Sequence, residues 1–304
     1  MIKYITVASA LKMFSLTPQT RWAYRQLGNT VGQRMTMRKG LEEWRMMNAR
    51  EILELIARLK LFKDGDRILE LGTGWVHWEG TVIRLFYDVE ITLFDVWDNR
   101  QFLAYKRFFH IFEEIMDHEL SLTMIQSKHA HRLLQVIADS NSFEEVYKAF
   151  GFTYVINSEG SLTQFPDNYF SCIHSCNVFE HIKRETVPGL IKDFARILKP
   201  GGYSIQGVDM GDHIAYYDTT VFRKNYICVS NAIWKQFCEN EVQYFNRIQR
   251  TEWLDYFHKN GFKLVEEHAN PIDISKIKID KDFANLARTD LECLNMVIVH
   301  QKPY

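Results

Sequence analysis

Apolar residues recur at helical spacing across residues 40–61, where Leu41, Trp44, Met47, Ile52, Leu55, Ile56 and Leu59 alternate with charged positions. One face of a long amphipathic helix is therefore predicted there. Asp64-Gly65-Asp66 ends it and turns the chain. A series of short strand-like segments follows, at 67–72, 91–95, 152–156, 170–176, 203–208, 262–267 and 294–300. The first of them reads as a short buried strand running into a glycine-containing turn. Helical patterns separate them, at 99–119, 187–198 and 251–260, the last closed by Gly261. Lys199-Pro-Gly-Gly202 predicts a sharp stop before the fifth strand. Strands alternating with helices specify an α/β fold, a Rossmann-like, mostly parallel sheet with helices on both faces.

Residues 120–151 are more than a bare crossover of ~10–12 residues requires. Extra helices are expected near 120–150, one of them carrying Leu133, Leu134, Val136 and Ile137. A second insertion is expected near 212–250, a stretch without strand-like alternation and rich in Tyr, Phe, Trp and Asn. The domain reading is an N-terminal helical cap over 1–60 and a Rossmann-like domain with these insertions over 61–304.

Charge changes the picture by exclusion. Lys plus Arg number 37 against 38 Asp plus Glu, a net charge of -1. No positive field favours nucleic acid or an anionic membrane surface. Cys172, Cys176, Cys228, Cys238 and Cys293 show no short paired spacing, which points to reduced thiols and a cytoplasmic protein. Ala8-Ser9-Ala10 imitates a cleavage site, but the apolar residues 4–7 before it fall short of the ~7–15 of a signal peptide. No run approaches the ~18 apolar residues of a membrane span.

The first strand runs into Glu70-Leu-Gly72-Thr-Gly74-Trp-Val-His-Trp78. Two glycines let a backbone approach a ligand closely. A dinucleotide fingerprint wants its third glycine where this chain has His77, and the loop is expected to be filled by Trp75, Val76 and Trp78. The Gly-Lys-Ser/Thr of a phosphate loop is missing too. An adenosine ribose without a phosphate fits better, because Asp95 at the end of the second strand offers a carboxylate for the ribose hydroxyls. Such a charge-assisted bond is worth roughly 1.5–3 kcal/mol. On spacing alone, an ordinary two-glycine turn and a nucleotide pocket remain equally open.

Ile68-Leu-Glu-Leu-Gly-Thr-Gly74 resembles the first motif of class I S-adenosylmethionine-dependent methyltransferases, and Asp95 matches their acidic residue after the second strand. The stretches 165–170, 177–182 and 198–202 resemble the later motifs in order and spacing. The likeness covers residues 66–262. It departs at Val76, where a third glycine is usual, and at Glu159, the nearest match to the acid on the adenine side. The resemblance implies S-adenosylmethionine as cofactor. Glu70, Gly72 and Gly74 would contact its methionine end, Asp95 the ribose and Glu159 the adenine, with Trp97 over the adenine face. Thr73, Val96 and Asn177 belong to the same motifs and are counted with the cofactor residues. Residues 24–29, 212–218 and 244–247 resemble a bacterial subgroup associated with surface-polysaccharide or other glycan biosynthesis.

A hydroxyl acceptor needs its proton removed as the methyl is received, for which histidine is the usual base. His181 follows the fourth strand, where it serves either as that base or, with Glu180, as a helix cap. His213 follows the fifth beside Asp212, a carboxylate able to orient an imidazole, though an exposed polar pair fits equally. His174, inside a central strand, reads as a core histidine, and His77 as a loop-shaping one. Asp212, Tyr216 and Arg247 are candidate substrate contacts. Asp212, Asp218 and His213 match no strong ligand spacing, and no metal is expected. The leading expectation is O-methylation of a small molecule or glycan by an enzyme without nucleic-acid partners, with aromatic insertions available for a homodimer contact. Alternatives are N- or C-methylation, a cofactor-binding scaffold without turnover, and a nicotinamide-dependent oxidoreductase.

Overall fold

The computed structural model describes residues 2–304. Its helices are α1 (Ile2–Phe14), α2 (Pro18–Leu27), α3 (Gln33–Lys39), α4 (Glu43–Leu59), α5 (Trp78–Phe86), α6 (Phe102–Glu119), α7 (Met124–Asp139), α8 (Phe143–Phe150), α9 (Val187–Ile197), the single turn α10 (Asn231–Ile233), α11 (Arg250–Lys259) and α12 (Arg288–Glu292). Its strands are β1 (Arg67–Leu71), β2 (Glu90–Asp95), β3 (Phe152–Ile156), β4 (Phe170–Cys176), β5 (Leu198–Asp209), β6 (Lys263–Pro271) and β7 (Cys293–Gln301). They form one seven-stranded sheet in the order β3-β2-β1-β4-β5-β7-β6. β1 is parallel to both β2 and β4, β2 is parallel to β3, and β6 and β7 are antiparallel. This is the expected Rossmann-like methyltransferase fold. No helix of the described residues is long and apolar enough to cross a membrane.

The chain divides into two compact units. One comprises residues 28–175 and 196–203. Its central strand β1 is buried from Ile68 to Leu71, as a strand covered on both faces must be. Helix α6 buries Ala104, Tyr105, Phe108, Phe109, Phe112 and Met116 along one stripe. α7 begins where Thr123 and Gln126 close a capping box. α8 starts on the Ser142 hydroxyl and stops at Gly151, whose φ of 71° suits a residue without Cβ. β5 begins at Leu198, directly after α9 and ahead of the expected start at 203. The Pro-Gly-Gly turn thus lies inside the extended segment, and a Cβ on Gly202 would stand 2.8 Å from the Lys199 carbonyl oxygen.

The other unit comprises, among the described residues, 2–27, 176–195 and 204–304. Tyr4, Ala8 and Leu11 line one side of α1 and are buried with Ile214, Tyr226, Trp234 and Phe245. Residues 212–249 hold short turns rather than long helices, fixed by side chains bonded to backbone. Asp212 Oδ1 accepts from the N–H groups of Ile214 and Ala215 at 2.9 and 3.3 Å. Trp253 and Phe257 of α11 pack on Phe179, and Phe257 stacks on His300 at 4.2 Å.

Candidate active site

In the first unit, the loops after β1, β2 and β3 are bonded to one another. Gly72 and Gly74 have φ of 71° and 65°, left-handed values that favour glycine. The N–H groups of Gly72 and Thr73 donate to the Phe94 carbonyl at 2.8 and 3.1 Å. Asp95 is 6% exposed. Its Oδ2 accepts the Gly74 N–H at 3.0 Å and its Oδ1 the Val96 N–H at 2.7 Å. Burial pushes its carboxyl up, against the pull of the N–H groups of Gly74, Val96 and Trp97. A carboxylate offers about four lone-pair sites, so beside these three N–H groups capacity remains for a ribose hydroxyl. The Asn157 N–H bonds the Asp95 carbonyl at 3.0 Å, and the Glu159 N–H bonds Asn157 Oδ1 at 3.0 Å. Glu159 is exposed on a loop anchored at Asp95, and a Cβ on the next residue, Gly160, would stand 3.6 Å from the exposed Val96.

Beneath the glycines runs a buried polar chain. Thr73 Oγ1 donates to Glu70 Oε2 at 3.0 Å, so it accepts from His77 Nδ1 at 2.9 Å. That places the ring's proton on Nδ1 and makes Nε2 the acceptor of the Tyr147 hydroxyl at 2.7 Å. Burial lowers the His77 pKa to about 3, which keeps the ring neutral. Burial raises Glu70 well above the carboxylate range, and the neighbouring Glu79 adds to it. His77 shapes the loop, as expected, and does so in the left-handed region at φ 42°. The close-approach glycine sought at Val76 or His77 is Gly80, whose Cα lies against the Glu70 carboxylate.

One loop expectation is corrected. Trp78 does not fill the glycine loop: it opens α5, is 1% exposed, stacks on Phe109 at 5.1 Å and donates to the Arg45 carbonyl at 2.9 Å. Val76 stays in the loop and is buried, and so does the half-buried Trp75, where a Cβ on Gly28 would stand 3.9 Å from its ring. Two residues escaped the sequence reading. Gln101, whose N–H bonds the Trp75 carbonyl at 2.9 Å, is buried, and among the described residues neither of its amide atoms has a partner, nor does Asn99 Oδ1. Their signal was the polar run at 98–101, just past Val96 and Trp97. Buried amides without partners fit a polar ligand.

The second unit gathers another set. His181 and His213 face each other with ring centroids 4.8 Å apart. The His181 Nδ1 lies 2.7 Å from the Tyr244 carbonyl, an acceptor only, so Nδ1 carries the proton and Nε2 the lone pair. Packing around the ring, and then His213, push its pKa below the usual imidazole range; the residue keeps an exposed edge, where water moderates the shift. The expected pairing of His213 with Asp212 is replaced: Asp209 Oδ2 lies 3.6 Å from His213 Nε2. Asp212 is fully buried, its Oδ2 held by the Tyr4 hydroxyl at 2.8 Å. Tyr216 donates to Asp209 at 2.5 Å. Arg247 lies over Trp234 at 4.9 Å and donates to Asn231 at 3.0 Å. Asn177, at φ 55°, donates its N–H to the Gly207 carbonyl at 2.9 Å. Asn246, given no role of its own by the sequence, pins the turn after β4: its side-chain amide donates to Phe179 and Ile182 carbonyls at 2.7 and 2.9 Å.

The glycine loop, the strand-end acid and the strand order can be set beside known proteins. A protein of Galdieria sulphuraria, provisionally assigned as a sarcosine dimethylglycine methyltransferase, shares the fold at TM-score 0.50 and 13% identity, over 86% of this chain and 91% of its own. A provisionally assigned methyltransferase of Bacillus halodurans C-125 aligns at TM-score 0.44 and 14% identity, over 83% and 99%. Haemonchus contortus phosphoethanolamine N-methyltransferase 2, in complex with S-adenosyl-L-methionine, aligns at TM-score 0.46 and 14% identity, over 95% and 58%. No curated protein sequence is matched. A family profile described as a methyltransferase domain matches residues 41–267, so the chain belongs to that family and is an S-adenosylmethionine-dependent methyltransferase.

Proposed function

We propose that this enzyme methylates an oxygen of a small molecule or glycan. Open α/β sheets carry ligands on the loops that follow the carboxyl ends of their strands. Gly72, Thr73 and Gly74 follow β1, Asp95 and Val96 follow β2, Glu159 follows β3, Asn177 and His181 follow β4, and His213 follows β5. Glu70, Gly72, Thr73 and Gly74 would hold the methionine end of the cofactor, Asp95 and Val96 the ribose side, and Glu159 the adenine. The bound cofactor supplies a methyl on a sulfonium, which passes to an in-line nucleophile and leaves a neutral thioether.

The chain's own part is to orient the acceptor, exclude water and take a proton. Positioning reacting atoms about 3–3.5 Å apart supplies most of the acceleration. The observation that carries the oxygen reading is the tautomer of His181: with Nδ1–H donated to the Tyr244 carbonyl, Nε2 is free to accept a hydroxyl proton. His213, backed by Asp209, is the second candidate for that role. Tyr216 and Arg247 present an aromatic face and a guanidinium suited to a sugar ring and an anionic substituent; Asp212 supports their segment from within.

Untargeted mass spectrometry of envelope glycans and metabolites, with and without the gene, tests the proposal. A species lighter by one CH2 in the deletion, with the missing methyl on oxygen, is the expected result; a missing N-methyl would overturn it. Calorimetric titration separates the cofactor step: Asp95→Ala should abolish S-adenosylmethionine binding and leave the fold intact.

A further inference from the structure

We infer that Glu180, His181 and His213 form a binding site for one divalent transition-metal cation. The ligand atoms of these three side chains lie within 4.8 Å of one another. Ligands on one ion at 2.0–2.2 Å stand roughly 3–4 Å apart, so a small side-chain contraction closes the set. Glu180 supplies an independent sign: it is 1% exposed, and neither carboxylate oxygen has a hydrogen-bond partner among the described residues. A buried carboxyl without a partner is costly, and a cation shared with two imidazoles is a compensation that this geometry offers.

The surrounding bonds are those that prepare ligands. The Tyr244 carbonyl takes the Nδ1 proton of His181 and leaves Nε2 for a metal. Asp209, 3.6 Å from His213 Nε2, is placed to hold that nitrogen's proton and leave Nδ1. Asp209 is itself fixed by the Tyr216 hydroxyl at 2.5 Å and the Gly211 N–H at 2.8 Å. A carbonyl or carboxylate behind each ligating histidine sets the ring's tautomer and orientation. Asn246 steadies the backbone of the turn, accepting no freedom there: its own N–H also donates to the Glu180 carbonyl at 2.8 Å. Two nitrogens and one oxygen select zinc, cobalt, iron(II) or manganese over calcium and magnesium, which prefer all-oxygen shells.

Three protein ligands leave positions for an acceptor oxygen, whose proton such a cation makes easier to lose. That use rests on the methyl-transfer reading above and would replace the imidazoles as base; the binding itself does not depend on it.

Chelator-treated full-length protein, titrated with cobalt(II) chloride and followed by visible ligand-field absorption and elemental analysis, tests the site. Wild type should bind one equivalent. Glu180→Gln and His213→Ala should each weaken binding at least tenfold, whereas His131→Gln, altering a surface histidine between Glu113 and Asp117, should not. Glu180→Gln keeps side-chain shape, so cobalt should raise the melting temperature of wild type and not of this variant. Titration with S-adenosylmethionine confirms that each variant is folded. No saturable binding of cobalt, zinc or manganese by wild type, or equal binding by the cluster variants, overturns the site. Metal binding at the cluster with full activity after chelation overturns only its use in methyl transfer.

Discussion

The Cα of Gly80 sits against the carboxylate of Glu70 so closely that a Cβ there would penetrate Oε2 and stand 3.0 Å from Leu93 Cδ2. In an ordinary helix, replacing glycine by alanine stabilises by roughly 0.5–1 kcal/mol. Here the sign reverses, because Glu70 is buried and bonded to Thr73. Gly80→Ala should cost about 1–3 kcal/mol through overpacking, read by denaturant unfolding. It should also weaken S-adenosylmethionine binding about tenfold or more by pushing Glu70 toward the glycine loop. Unchanged affinity would separate Glu70 from the cofactor.

The His77 ring makes stability depend on pH in a defined direction. Its folded pKa, about 3, lies below the free value of 6.5. Between those values the unfolded chain binds the proton and the folded one does not. The stabilisation is complete above pH 6.5 and lost as pH falls, at up to about 1.4 kcal/mol per unit. His77→Gln removes the titrating group, so the stability difference between wild type and variant should shrink steadily from pH 7 to pH 4. Parallel curves would show that the ring is protonated in the folded protein.

The strands at 152–156 and 170–176 match β3 and β4 residue for residue: β4 is buried at five of its seven positions and leaves a largely apolar run, whereas β3, at the sheet edge with Thr153 and Ile156 exposed, was legible because its run is bounded by Gly151 and Asn157. Asp95 was legible for a similar reason: a carboxylate at the end of such a run has few structural uses. Other features depend on contacts that no spacing shows. Gly80 acts on Glu70 from a different element. His213 meets Asp209, four residues back along the chain, because the turn after β5 curls that way, although Asp212 stands beside it in sequence. Residues 212–249 have no period to read, since Asp212, Asp218, Asn240 and Asn246 hold them through side-chain bonds to backbone.

Tyr4 ties α1 to the turn after β5 through its hydroxyl on Asp212. Asp212 is fully buried, and burial lifts its pKa to about 6 despite that bond and two backbone donors. Tyr4→Phe keeps the ring in its apolar site and leaves the carboxyl one donor short. A loss of about 1–3 kcal/mol is expected, with faster hydrogen exchange in residues 2–14 and 212–218. Exchange unchanged in both segments would show that packing of Tyr4, Ala8 and Leu11 alone holds the helix.

Asp209 is expected to govern turnover through His213. Burial opposes its charge, but His213 and the Tyr216 hydroxyl hold its pKa below the usual carboxylate value, so it faces the imidazole as an anion at neutral pH. An anion there keeps the proton of His213 on Nε2 and the ring in one orientation, whether His213 takes a proton or holds a cation. Asp209→Asn preserves shape and removes that preference. His213→Ala should slow turnover by ~10²–10⁴, and Asp209→Asn by less, since the ring remains. Both should bind S-adenosylmethionine as wild type does, and the split between kcat and cofactor affinity is the measurement. Wild-type kcat in both variants would remove His213 and Asp209 from the handling of charge and leave His181, its Nδ1 proton held by the Tyr244 carbonyl, as the base.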